Sequence, residues 1–179
     1  NADAGPDQNI CNVDSIVMSA NFPMFGSGTW TILSGPNVPV ITDTLSNSTT
    51  VTGMIPGTYL FVWSIGISVC TPTTDTVQIT ISDLPTISDA GISQHLCNGG
   101  TAAMAGNVPV TGTGTWTFVS GPNIPTISSP NSPFSNISGM IQGPYTFNWE
   151  INNGYCSSSN DTVTITMEEI PAIALAGID

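Results

Sequence analysis

The sequence predicts an all-β protein built from tandem antiparallel β-sandwiches of about seven strands each. Three observations predict it. The chain repeats itself without a gap, its apolar residues alternate with polar ones, and Gly and Pro turns separate the alternating runs. Cys11 returns as Cys97, Trp30 as Trp116, Tyr59 as Tyr145, Trp63 as Trp149 and Cys70 as Cys156, always at an offset of 86. About 36 of the 86 aligned positions are identical.

Within one module the elements read in order. Short strand candidates cover 8–12 and 16–20. Gly28 to Ser34 then places Trp30 and Ile32 on one side, matched by Trp116 and Phe118. Further short candidates are 38–42 and 48–53. Thr58 to Ile67 alternates strictly, with Tyr59, Phe61, Trp63 and Ile65 on one face. Its second copy keeps Tyr145, Phe147, Trp149 and Ile151 and turns the other face to Thr146, Asn148 and Glu150, so that face is the solvated one. Thr76 to Ser82 points Val77, Ile79 and Ile81 inward, and Thr162 to Glu168 does so with Val163, Ile165 and Met167. No stretch carries helical periodicity. The modules divide as 1–84 and 85–170, with Leu84-Pro85-Thr86-Ile87-Ser88 as a proline-stiffened linker holding neighbours roughly end to end. Residues 171–179 repeat the module opening, as the start of a third module or an exchanged strand.

Composition excludes several functions. Among 179 residues there is no Lys or Arg, against 12 Asp and Glu, for a net charge of −12. Nucleic-acid binding lacks its phosphate-neutralising cations, and polybasic docking to anionic lipid fails for the same reason. Schiff-base chemistry and lysine isopeptide crosslinks are impossible, and every trypsin-type cleavage site is missing. With 40% hydrophobic residues the chain still has enough to build cores. No apolar stretch approaches the ~20 residues of a membrane helix, so no direct membrane insertion is expected.

Four cysteines permit three pairings. Because each module carries the same pair, Cys11–Cys70 and Cys97–Cys156 are expected, one disulfide per module. A Cys11–Cys97 bond needs equivalent points of successive modules within about 7 Å, which an extended array forbids. A four-thiolate zinc site lacks any C-x-x-C spacing. Disulfides place the protein outside a reducing cytosol.

The remaining candidates carry weaker signals. His95, the one histidine, has Asn9 as its counterpart and no nucleophile or carboxylate patterned around it, so no enzyme is expected. Asp83, Asp89, Glu168 and Glu169 cluster at module junctions, where carboxylates could take calcium, but no D-x-D or EF-hand spacing fixes a cage, and solubility and mutual repulsion explain the same residues. Sequons stand at Asn47, Asn136 and Asn160. Phe22, Met24 and Phe25 replace Val108, Val110 and Thr111 of the second copy. That bulk either forms a contact loop for a neighbouring chain or ligand, or folds over and caps the sandwich. Trp30 and Trp116 sit in strand pattern, which fits core better than carbohydrate stacking.

The combination of Ala4-Gly5-Pro6-Asp7-Gln8 with Cys11, Gly28-Thr29-Trp30-Thr31, Ser34-Gly35-Pro36 and Gly57-Thr58-Tyr59-Leu60-Phe61-Val62-Trp63 resembles a known module. It is similar to the Ig-like, PKD-like tandem repeats of giant secreted surface proteins in Bacteroidota, of the gliding-motility cell-surface adhesin type. Tyr59 and Tyr145 look like the tyrosine corner of such sandwiches. The departure is at the cysteines: Phe61 stands where an Ig cysteine would be, so the bridge staples an edge or loop. The resemblance implies type IX export, an extracellular cell-surface location, many copies per chain and an adhesive or mechanical role. It also implies O-glycosylation at Asp-Ser/Thr-apolar sites, here Ser15, Thr44, Thr76 and Thr162.

Two readings follow. One is a rigid stalk segment of a long adhesin, whose partners are neighbouring modules of the same chain and, through exposed loops, surface glycans. The other is a filament subunit that joins copies of itself by strand exchange.

Overall fold

The computed structural model describes residues 1–67, 70–97 and 100–169. The chain divides into two units, Asn1–Leu84 and Pro85–Asp179. The expected opening of a third module, 171–179, lies outside the described residues.

All regular structure among the described residues is β. The first unit holds β1 (Gln8–Cys11), β2 (Ser15–Ser19), β3 (Ser27–Ser34), β4 (Val40–Ile41), β5 (Ser48–Thr52), β6 (Gly57–Gly66) and β7 (Thr73–Ser82). They form one sheet in the order β1-β7-β6-β3 and a second in the order β2-β5-β4. The second unit repeats this with β8 (Gln94–Cys97), β9 (Thr101–Ala103), β10 (Thr113–Ser120), β11 (Thr126–Ile127), β12 (Asn136–Ser138), β13 (Gly143–Asn152) and β14 (Ser159–Glu168). Its sheets run β8-β14-β13-β10 and β9-β12-β11. Among the described residues each unit is therefore a seven-stranded sandwich.

One pair per unit departs from the expected antiparallel order. β1 lies parallel to β7, with Gln8 beside Ile79 and Cys11 beside Ser82, and β8 lies parallel to β14. The first strand is free to do this because the chain crosses from β1 to the other sheet before returning. Side chains fasten the segment ahead of β1 in place. Asp75 Oδ2 accepts from Ala4 N at 2.7 Å, and Asp7 Oδ1 accepts from Gln78 N at 2.8 Å.

The cores follow the alternation. Trp30, Tyr59, Phe61, Trp63, Val77, Ile79 and Ile81 face Ile16, Met18 and Val51 of the opposite sheet. Tyr59, Phe61 and Trp63 have no solvent exposure. The second core repeats the arrangement around Trp116, Tyr145, Phe147 and Trp149. In each unit two indoles meet, Trp30 on Trp63 at 5.0 Å and Trp116 on Trp149 at 4.9 Å between ring centroids. β3 and β10 come so close to these rings that a methyl on Gly28 would stand 2.0 Å from Trp63, and one on Gly114 would stand 2.1 Å from Trp149.

The units differ inside in one respect. Trp116 Nε1 donates to Pro133 O at 3.2 Å and Trp149 Nε1 to Asn107 Oδ1 at 3.1 Å. Trp30 Nε1 and Trp63 Nε1 are buried without a hydrogen-bond partner.

Two outcomes follow for unfolding in urea. Gly28→Ala and Gly114→Ala each lower stability by about 1–3 kcal/mol, because the indole must be displaced from a close-packed core. Trp63→Phe costs less than Trp149→Phe by about 1–2 kcal/mol, since only the latter breaks an indole hydrogen bond.

Candidate functional site

At one end of each module a tyrosine closes the sandwich. Tyr59 OH donates to Asn37 Oδ1 and accepts from Ile55 N at 2.8 Å. Asn37 Nδ2 in turn donates to Gly53 O at 2.8 Å. The second module repeats every bond through Tyr145, Asn123, Ile141 and Gly139. The Ser-Gly-Pro-Asn sequence is explained by this clasp. A methyl on Gly35 or Gly121 would lie 2.4 Å from the tyrosine ring, and the asparagine holds the hydroxyl. Sequence reasoning found the tyrosines but not their asparagine partners. The available signal was the identical four-residue motif whose asparagine stands 22 positions ahead of each tyrosine.

The acidic residues shared by both copies are structural as well. Asp75 and Asp161 each hold the backbone of the entering segment, at Ala4 and Ala90. Asp3 and Asp89 each accept from the backbone N–H two residues on, at Gly5 and Gly91. Of the calcium candidates, Asp89 is thus engaged in a turn, Glu168 lies 3.0 Å from His95 Nδ1, and Asp83 and Glu169 are exposed. Among the described residues no group of three or more His, Cys, Asp or Glu is placed to hold a metal ion. The His95–Glu168 pair joins β8 to β14 on an exposed surface, where such pairs contribute little.

Trp30 and Trp116 are 1% and 2% exposed. Neither indole face is open to a sugar, which removes the carbohydrate reading built on them.

The cysteines do not pair as the sequence suggested. Cys11 and Cys156 are disulfide-bonded, whereas Cys70 and Cys97 are free, exposed thiols. The expected Cys11–Cys70 and Cys97–Cys156 bonds fail on geometry. Cys11 lies beside Ser82, where β7 ends. Cys70 lies in the connection before β7, whose ladder with β6 begins at Thr73 opposite Ile65. From Thr73 to Ser82 the strand covers about 30 Å at ~3.3 Å per residue, against a limit of about 7 Å between the Cα atoms of a disulfide. Cys97 and Cys156 are separated likewise, beside Glu168 where β14 ends and before Ser159 where it begins. A disulfide-bonded chain belongs to an oxidising compartment, outside the cell or on its way there.

Beside Cys70, one end of the first module presents apolar bulk. Phe22, Met24 and Phe25 line a cleft with Ile67 and Cys70. They are 76%, 87% and 83% exposed, so this loop does not fold back as a cap on the core. The glycosylation candidates Ser15, Thr44, Thr76 and Thr162 are all exposed, and so are the sequon residues Asn136 and Asn160.

No family model and no curated protein matches the chain. Solved structures do. Murine CEACAM1b is 14% identical over 95% of this chain and 100% of its own, with a TM-score of 0.59. Clostridium thermocellum CbhA fibronectin(III)-like modules are 11% identical over 96% and 95%, with a TM-score of 0.41. The PKD domain from KIAA 1837 protein is 26% identical over 46% and 85%, with a TM-score of 0.41. The likeness to CEACAM1b concerns the fold alone: this chain is a tandem of Ig-like β-sandwiches.

Exposure leaves the four hydroxyls accessible to the O-glycosylation that the sequence motif leads one to expect. Intact-mass measurement of the protein from its source tests that expectation: added hexose lost stepwise in Ser15→Ala, Thr44→Ala, Thr76→Ala and Thr162→Ala variants supports it, and an unmodified mass rejects all four positions.

Proposed function

We propose that the chain is a non-enzymatic, extracellular repeat segment of a large bacterial cell-surface adhesin. Its modules act as a stalk, and the exposed loops present the adhesive surface. The observation that carries this reading is how the two modules repeat. The same indole on the same glycine, the same tyrosine–asparagine clasp and the same aspartate on the same backbone N–H recur at an offset of 86. The bulk at Phe22, Met24 and Phe25 changes to Val108, Val110 and Thr111 in the equivalent loop. A unit that keeps these framework contacts while an exposed loop changes suits length and display. Type IX export and a gliding-motility role rest on the resemblance of the motifs to Bacteroidota surface repeats. Surface glycans are the partner class we assign to the loops.

A second reading, a subunit that assembles with copies of itself into a filament, draws on the exposed apolar loop at one module end. The two readings part on the reduced, denatured mass of the native polypeptide isolated from its source. A mass of several times the 18.5 kDa of this chain supports the covalent stalk. A mass near that value overturns it in favour of the self-assembling subunit.

A further inference from the structure

Each module carries one cysteine at each of its two ends. Cys11 and Cys97 lie where the last strand leaves the module, beside Ser82 and Glu168. Cys70 and Cys156 lie at the opposite end, in the connection before that strand. The two ends are about 30 Å apart along β7 or β14, so neither cysteine of a module can reach the other.

Both kinds of cysteine are nevertheless competent to bond. The exit-end residue is bonded at Cys11 and free at Cys97, and the entry-end residue is free at Cys70 and bonded at Cys156. The repeat thus shows each free thiol what its equivalent does. Since a module's own second cysteine is out of range, a free thiol of either kind needs a partner from outside its module.

We propose that Cys70 and Cys97 are junction thiols: the exit-end Cys97 forms a disulfide with an entry-end cysteine of a neighbouring module of this type, and Cys70 with an exit-end one. This deepens the stalk reading and rests on it. The surroundings of Cys70 fit a docking face, since Phe22, Met24, Phe25 and Ile67 lie around it and are all exposed. Burying them against a second module removes apolar surface from water as the bond forms. The neighbouring module is supplied by the same polypeptide or by a second copy, and the chemistry is the same for both.

The oxidant is a small disulfide or a thiol–disulfide oxidoreductase. The thiolate of Cys97 attacks oxidised glutathione, forming a mixed disulfide and releasing one glutathione thiolate. The thiolate of Cys70 from a second copy then attacks Cys97 Sγ, forming the Cys70–Cys97 bond and releasing the second glutathione. Two thiol protons go to solvent, and the two electrons end on glutathione.

The test uses the full chain in a glutathione redox buffer. Non-reducing electrophoresis should show a ladder at multiples of the 18.5 kDa chain that collapses on reduction. Cys70→Ser and Cys97→Ser variants alone should stay monomeric, and their mixture should give a dimer and stop there. Peptide mapping with chymotrypsin, which suits a chain lacking Lys and Arg, should then find Cys70 joined to Cys97. Circular dichroism checks that the variants fold, which the exposure of both residues favours. The proposal is overturned if either variant dimerises alone as readily as the mixture, or if the bonds found are Cys70–Cys70 and Cys97–Cys97. It is equally overturned if both thiols stay titratable in the folded chain under oxidising buffer. In material from the source, a junction disulfide whose two peptides stay on one polypeptide after reduction identifies the same-chain neighbour. A fall in mass on reduction identifies the second copy. That mass bears on the stalk reading separately, so a crosslink can fail while the covalent array stands.

Discussion

An indole ring lying on a bare Cα holds each module together. Trp63 occupies the space that a side chain on Gly28 would need, and Trp149 does the same at Gly114. That approach lets β3 and β10 pack down on the central strands and brings Trp30 and Trp116 against the same indoles. At the far end of β6 the chain repeats the device, with Gly35 under the ring of Tyr59 and Asn37 fixing its hydroxyl. Two aromatic–glycine contacts therefore set the spacing between β3 and β6 at both ends of the strand pair. Identity between the copies concentrates where these contacts demand it: Gly28, Trp30, Gly35, Pro36, Asn37, Tyr59, Phe61 and Trp63 all recur unchanged.

The strands and their inward faces were legible because alternation in a half-buried strand has a period of two and the repeat showed it twice. Val62 faces Asn148 in the comparison of copies, and that one change marks the outer face of the whole strand. Strand order was less legible. Nothing in Gln8–Cys11 announces that it pairs parallel with the last strand, since the bonds that fix it come from Asp7 and Asp75, 68 residues apart in sequence. The cysteine pairing went astray for the same reason. Equal spacing in two modules suggested a bond within each, but sequence distance carries no information about which end of a sheet a residue reaches. Once β1 is placed beside β7, Cys11 and Cys70 fall at opposite ends and the suggestion fails.

The two modules also show where a repeat can drift. The connection before the last strand reads Ile67 to Cys70 in one copy and Asn153 to Cys156 in the other. In the second, Asn153 Oδ1 accepts from Cys156 N at 2.9 Å, while in the first Cys70 N donates to Ile67 O at 3.1 Å. The cysteine backbone is held in both by different means. Beneath it, the second module satisfies indole N–H groups that the first leaves buried without partners. Interiors that match in shape thus differ in polar bookkeeping.

The parallel pairing of β1 with β7 has a mechanical consequence. The chain enters a module along one of these strands and leaves along the other. Tension on its two ends therefore slides the strands past each other along their length. The bonds that resist run the length of β7, from Ala2 N on Thr73 Oγ1 through Ala4 N on Asp75 and Gln78 N on Asp7 to Asn12 N on Ser82 O. Loaded in shear they share the force and must yield together, whereas a pair peeled from one end would release them one at a time. The entry strand is short, but it makes each module a clasp against stretching.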